Sequence, residues 1–399
     1  MSVFVRETRV AGATSGPLAG ETVAVKANIA IEGEVWDGAS PGLQDVVAKS
    51  HAPSVQRVLE AGAIIVGQAN MHELAFGITS DNAAFGAVES PHGGMAGGSS
   101  GGTAAAVAGG LASMGLGTDT GGSGRLPAAF CGCVGFRPTH GRYPSDGVLT
   151  LSPTLDTVTP MARSVDDLIR LDAVLAGGSV AGEQRPTTLR LGRVSGPFWS
   201  NLDPRVEARV CDTIDRLEAI GFTVETREAD LSQAVDAVAI PLVIAETKRW
   251  WSAFLQEHLN TDIAGFAAKI ASPDVAATFE SVATNETSSE ALAALQSQGC
   301  GRVAAQLAEA MEGFDALIYP TVPIAAPPLH AETVDLGGAV HPLFPLLTGR
   351  SPVASLTGSP AISLPIRGYD ARPLGLELLA RPGQDATLLN WARHIEAAL

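Results

Sequence analysis

Between Gly97 and Arg125 the chain reads GGSSGGTAAAVAGGLASMGLGTDTGGSGR, with eleven glycines, one acid, a single base at its end and no histidine. Glycine loses more conformational freedom on folding than any other residue. Ordering so much of it requires a backbone that bends tightly or comes close to a ligand. Two serine-containing turns, GGSSGG and DTGGSGR, flank a small-residue helix and a strand. A phosphate loop would present backbone N–H groups to an anion. That loop needs GxxxxGK[ST], and no lysine occurs between Lys49 and Lys248; GLGTDTGG is not GxGxxG either. Structural turns around the helix TAAAVAGGLA would account for one such loop alone. Paired turns, each with a serine after two glycines, can instead aim several N–H groups at one point. That is oxyanion-hole geometry, worth about 3–4 kcal/mol per donor in acyl transfer.

A serine nucleophile needs a base. His72, His92 and His140 are candidates for a Ser-His-Asp arrangement, although each also reads blandly: His72 in a helical NMHELAF, His92 in a turn, His140 in RPTHGR. Lys26 is the other candidate, at the end of the apolar strand VAVK. Burying an ammonium is costly unless it is paired or neutral. Burial lowers its pKa, and a neutral amine is a competent general base. An exposed strand-end lysine is the plain alternative.

The rest of the chain supplies a scaffold for such a site. Strands are expected at TVAVK, AIIVG, LRLGRVS, FTVET, ALIYPT, PAISLPI and LGLELLA. Amphipathic helices are expected at APSVQRVLEAG, DDLIRLDAVLAG, from Pro204 (stripe Val206, Val210, Ile214, Leu217) and at DATLLNWARHIEAAL. Strand–helix alternation at both ends predicts an α/β fold: a single large domain, with one mixed twisted β-sheet carrying helices on both faces. A core over about 21–180 and a C-terminal core over about 313–399 would bracket a helical, variable insertion at about 229–312. With 46% hydrophobic and 17% charged residues, 399 residues can bury a large core. A net charge of −16 argues against a nucleic-acid partner. The run from Ala104 to Gly117 is too short and glycine-rich to span a bilayer, and MSVFVRETRV has no signal-peptide core. Cys131, Cys133, Cys211 and Cys300 make no CxxC and no zinc spacing. A reduced, cytoplasmic protein is expected, with no metal.

These residues resemble the amidase signature family of serine hydrolases almost end to end. The resemblance is carried by LAGETVAVKANI, AGAIIVGQANMHELAFG, the whole Gly97–Pro127 block, PAAFCGCVGFRPTHGR, LDTVTPMARSVDDL, DALIYPTVPIAAPP, SLTGSPAISLP and PLGLELLARPGQDATLL. It implies hydrolysis of a small-molecule amide by a Ser-cisSer-Lys triad. The nucleophile would be Ser123, the relay Ser99 with a cis Gly98–Ser99 peptide, and the base Lys26. Oxyanion donors would be the N–H groups of Thr120, Gly121, Gly122 and Ser123, and no cofactor is implied. Ala75, Phe76 and Asn82 would line the acyl pocket, and Trp250 or Trp251 of KRWWSAF could cap it. Asp119 and Arg125 would pair with each other. No membrane partner is expected, and a homodimer is allowed for. The alternative is the glutaminase component of a tRNA-dependent amidotransferase, which shares the fold and triad. Three departures stand out: Gly124 where the family carries isoleucine or valine, Thr159 where it carries glycine, and little chain ahead of Lys26.

Overall fold

The computed structural model describes residues 3–178, 189–366 and 371–399. Eleven strands form one sheet: β1 (Phe4–Ala11), β2 (Thr22–Lys26), β3 (Ile64–Ala69), β4 (Met114–Asp119), β5 (Val134–Arg137), β6 (Thr157–Ala162), β7 (Arg190–Val194), β8 (Thr223–Arg227), β9 (Ala316–Pro320), β12 (Ala361–Ile366) and β13 (Leu374–Leu379). The remaining two, β10 (Thr333–Leu336) and β11 (Ala339–Pro342), make a separate hairpin. The sheet order is β1-β3-β2-β4-β6-β5-β12-β13-β9-β7-β8. Parallel pairs β3–β2–β4 and β9–β7–β8 are joined through antiparallel pairs in the centre. The chain is therefore one α/β domain built on a mixed sheet.

The central strands are apolar without alternation because both faces are covered. Every residue of β4, β6, β9, β12 and β13 is buried. Such runs are the signature of strands packed by helices on both sides. The helix Pro204–Ala219 shows how the covering layer forms. Asp203 caps it by accepting from Arg205 N–H, proline occupies its first turn, and Val206, Val210, Ile214 and Leu217 are buried at helical spacing. Between β8 and β9 lies a helical layer that includes Ala239–Leu259, Pro273–Thr284 and Cys300–Ala310. Its aromatic centre is Trp251, fully buried, stacked on Phe266 at 5.5 Å and edge-on to Phe279 at 5.1 Å.

Two local readings change. MSVFVRETRV forms the edge strand β1, antiparallel to β3, a pairing its own sequence does not announce. NMHELAF is not a helix: His72 is extended, and only a short 3-10 turn, Glu73–Ala75, follows. The cause is tertiary. The Glu73 carboxylate is buried and accepts from the Ser40 hydroxyl and from the N–H groups of Ala271 and Ser272, tying this loop to the helical layer. No helix among the described residues is long and apolar enough to cross a membrane.

Candidate active site

β2 and β4 lie side by side, with Val25 level with Leu116, so Lys26 at the end of β2 comes beside Thr118. Lys26 is fully buried. Its Nζ lies 2.7 Å from Ser99 Oγ and 2.7 Å from Thr118 Oγ1, and Asn28 Nδ2 donates to the same threonine oxygen at 3.2 Å. Burial pushes the amine down to about 7, against the opposing pull of the Asp119 and Asp156 carboxylates. Near neutrality about half of such a group is the free amine.

Ser99 sits in the first turn, after a cis Gly98–Ser99 peptide. Its carbonyl accepts from His72 N–H at 3.1 Å and from the Ser80 hydroxyl at 3.3 Å. The neighbouring Ser100 joins the two turns. Its N–H donates to Ser123 O at 3.1 Å, and its hydroxyl donates to Thr118 O at 3.1 Å while accepting from Thr118 N–H at 3.3 Å. The sequence singled out Ser99 and passed over Ser100. The doubled serine was the available signal.

The second turn links β4 to the helix Arg125–Cys131 and is organised by Asp119. This carboxylate accepts from Gly122 N–H (2.8 Å), Gly124 N–H (3.2 Å), Arg125 Nε (2.9 Å) and Arg137 Nη1 (3.2 Å). Burial opposes its ionisation, but the charges of Arg125 and Arg137 outweigh that and hold it well below the usual carboxylate range. The expected Asp119–Arg125 pair is present and fully buried. One expectation is corrected here: the Gly122 N–H is spent on Asp119. Among the described residues, the N–H groups of Thr120, Gly121 and Ser123 donate to nothing in the protein. The Ser123 side chain likewise makes no hydrogen bond there, and the residue keeps 9% of its surface exposed. The Thr120 hydroxyl donates to Asp156 Oδ1 at 2.7 Å, while Asp156 Oδ2 accepts from Leu151 and Ser152 N–H. Burial pushes Asp156 up to about 6.

Gly124 and Thr159, noted separately as departures, occupy one place. A Cβ on Gly124 would lie 2.2 Å from Thr159 Cγ2, so the threonine on β6 fills the volume the turn leaves empty. Its hydroxyl is buried without a partner among the described residues.

The acyl-pocket residues divide. Ala75 packs in a cluster with Ala27, Ala39, Met71 and Leu151, with Phe76 and Val243 against it, and Phe76 meets Phe279 edge-on at 5.1 Å. Asn82 is corrected. Its Nδ2 donates to Ala39 O and Met71 O, and its Oδ1 accepts from Ala84 and Phe85 N–H, so its amide is consumed in holding the loop. Of the tryptophans, Trp251 is core and donates to Thr150 O. Trp250 lines an open cavity of about 550 Å³ with Glu246, Arg249 and Gln296. The histidines do not reach the serines. His72 bonds Asp274 and Thr79, and His140 bonds Pro153 O; His92 ring nitrogen bonds to neither serine. Cys131 and Cys133 are buried apolar packing, as expected.

A serine with free N–H donors beside it, and a buried lysine on a second serine, describe an acyl-transfer site. The comparisons agree in kind. The family model described as Amidase matches residues 5–389. The chain is 35% identical over 416 residues to mandelamide hydrolase from Pseudomonas putida, covering 98% of this chain and 80% of that protein. It is 34% identical over 389 residues to indoleacetamide hydrolase from Allorhizobium ampelinum, covering 95% and 84%. It is 35% identical over 429 residues to the glutaminase-type component of glutamyl-tRNA(Gln) amidotransferase from Symbiobacterium thermophilum, covering 98% and 86%. A crystal structure of an amidase superposes with a TM-score of 0.86 at 31% identity, covering 96% of this chain and 86% of that one. The chain belongs to the amidase signature family. It is a hydrolase that acts on the C–N bond of amides.

Proposed function

We propose that this amidase hydrolyses a small carboxylic amide through an acyl-enzyme on Ser123, with Ser99 as proton relay and Lys26 as base. The observation that carries this reading is the fully buried Lys26 amine, lowered to about 7, at 2.7 Å from the Ser99 hydroxyl. Neutral Lys26 takes the Ser99 proton as Ser99 takes that of Ser123, and Ser123 Oγ attacks the carbonyl carbon. The oxyanion is held by the N–H groups of Gly121 and Ser123, with Thr120 adjacent. The C–N bond breaks as the proton returns through Ser99 to the leaving nitrogen, and ammonia or an amine departs. Water then cleaves the acyl ester by the same relay. The chemistry resides in residues 21–180, and the helical segment 229–312 shapes the acyl side.

The apolar group around Ala75, Phe76, Leu151, Val243 and Phe279 favours an aryl or arylalkyl side chain. Relatives named for mandelamide and indoleacetamide support that class. The second reading, a glutaminase working in a complex beside tRNA, rests on the comparable 35% identity to the amidotransferase component. The net charge of −16 weighs against a surface that shares a complex with tRNA. The test is ammonia release by the isolated chain from mandelamide, indole-3-acetamide, phenylacetamide and glutamine, with a fluorophosphonate to label the nucleophile. Turnover of the aryl amides and a label on Ser123 are expected. Turnover of glutamine alone would favour the second reading, and a label elsewhere would overturn the nucleophile.

A further inference from the structure

A peptide unit carries one N–H and one C=O in a common plane. Anchoring both ends fixes that plane and constrains the units on either side. In the turn that carries Ser123, the unit between Gly121 and Gly122 is anchored in this way. Its N–H donates to Asp119 Oδ1 at 2.8 Å, and its C=O accepts from the Ser351 hydroxyl at 2.6 Å. Asp119 belongs to the turn's own strand. Ser351 comes from the far C-terminal part of the chain, at the N-cap of the short helix Pro352–Leu356.

Ser351 is itself held in place. It is 1% exposed, and its carbonyl accepts from Arg125 Nη2 at 3.0 Å. Arg125 also binds Asp119 and, through Nη1 at 2.6 Å, Glu377 on β13. The preceding Arg350 is buried and donates to the carbonyls of Phe198 and Ser200. On the turn's side, Gly122 has φ +115, and a Cβ there would stand 2.6 Å from Ser351 Oγ. Glycine at 122 is thus demanded both by its backbone and by the hydroxyl beside it.

With the Gly121–Gly122 unit committed to Asp119 and Ser351, the flanking N–H groups of Gly121 and Ser123 are the ones left without acceptors among the described residues. We infer that Ser351 is a positioning residue for amide hydrolysis: by fixing the Gly121–Gly122 peptide it aims the Gly121 and Ser123 N–H groups at the oxyanion. The inference rests on the reading of Ser123 as nucleophile. Ser351 touches no reacting atom and acts only through the turn.

The full chain carrying Ser351→Ala tests it, assayed with the best amide of the panel and with a fluorophosphonate on Ser123. Misplacing oxyanion donors by a fraction of an ångström to an ångström lowers kcat by about 10- to 100-fold. The expected result is that loss in kcat with KM within about twofold, because ground-state binding does not use these donors. The rate of Ser123 phosphonylation should fall by a similar factor, and thermal unfolding should remain a single transition. An unchanged kcat in a folded Ser351→Ala protein overturns the inference, as does a loss confined to KM. If Ser351→Ala does not fold, Ser351→Cys keeps the volume with a weaker donor. It is expected to lower kcat about tenfold at constant KM, and an unaltered kcat overturns the inference equally. Failure of the wild-type chain to be labelled at Ser123 would remove the nucleophile reading. Labelling of wild type and variant at one rate would remove only the role of Ser351.

Discussion

Replacing Asp156 by asparagine should move the acid limb of the pH–rate profile to lower pH. The reasoning starts from Lys26. A lysine in water titrates near 10.5, so at pH 7 only about one in 3,000 carries a free amine. Burial lowers Lys26 to about 7. That difference corresponds to about 5 kcal/mol in favour of the neutral amine, at about 1.4 kcal/mol per factor of ten. It raises the competent fraction on the order of a thousandfold. The carboxylates of Asp119 and Asp156 pull the other way, because each stabilises the ammonium. Asp119 stays ionised throughout, held by Arg125 and Arg137. Asp156 titrates at about 6, so its charge is present where Lys26 deprotonates. Wild-type kcat/KM should rise tenfold per pH unit below about 7 and level off above it, leaving about a tenth of the plateau at pH 6. Asp156→Asn removes one source of ammonium stabilisation and leaves the desolvation in place. Normalised to its own plateau, the variant should keep a larger fraction of activity at pH 6, although the plateau falls because Thr120 loses a charged acceptor. The assay is ammonia release from an aryl amide between pH 5 and 9. A limb that stays in place or moves upward in the variant would refute the electrostatic argument. A wild-type profile with no limb near 7 would refute Lys26 as the base.

The same group links stability to pH. The folded Lys26 pKa lies below the unfolded value, so between about 7 and 10.5 the unfolded chain binds more protons. The cost of burying Lys26 is full below pH 7 and declines as pH rises, by up to about 1.4 kcal/mol per unit. Urea unfolding should therefore show Lys26→Met gaining most over wild type at pH 6.5 and losing much of that advantage by pH 9.5; a constant gap would contradict it. Ser123→Ala should abolish turnover in a folded protein and Lys26→Ala should lower it by orders of magnitude. His72→Ala, His92→Ala and His140→Ala should each stay within about tenfold of wild type. One histidine variant matching the Lys26 loss without unfolding would reopen the choice of base. Gly124→Val should cost about 1–3 kcal/mol by overpacking against Thr159, and adding Thr159→Gly should recover much of it. Strict additivity in that double-mutant cycle would show that the two positions do not share one space.

The repeating elements were legible because their signals are local. Val206, Val210, Ile214 and Leu217 announce a helix through a period that needs no partner, and AISLPI and LGLELL announce strands buried on both faces. Lys26, Ser99 and Ser123 were legible for a related reason: an unusual lysine at an apolar strand end and two glycine–serine turns are visible residue by residue. The assembly was not. Nothing in MSVFVRETRV says that it pairs with β3, and nothing in NMHELAF says that Glu73 will leave a helix to bind Ala271 and Ser272. Asn82 looked free to meet a substrate until the loop around it closed on its amide. Gly122 looked like an oxyanion donor until Asp119 took its N–H. Gly124 and Thr159, two separate oddities along the chain, are one packing solution across β4 and β6. Ser351 carries no motif at all; its part is defined by a carbonyl 230 residues away. The sequence by itself determined the chemical types in the site and the local shape of each segment, because backbone propensity, side-chain period and acid–base character belong to single residues. Only the tertiary structure decided which hydrogen-bonding group is spent and which is left for a substrate. That choice depends on distances between residues remote in the chain, and those distances exist only once the sheet has brought them together.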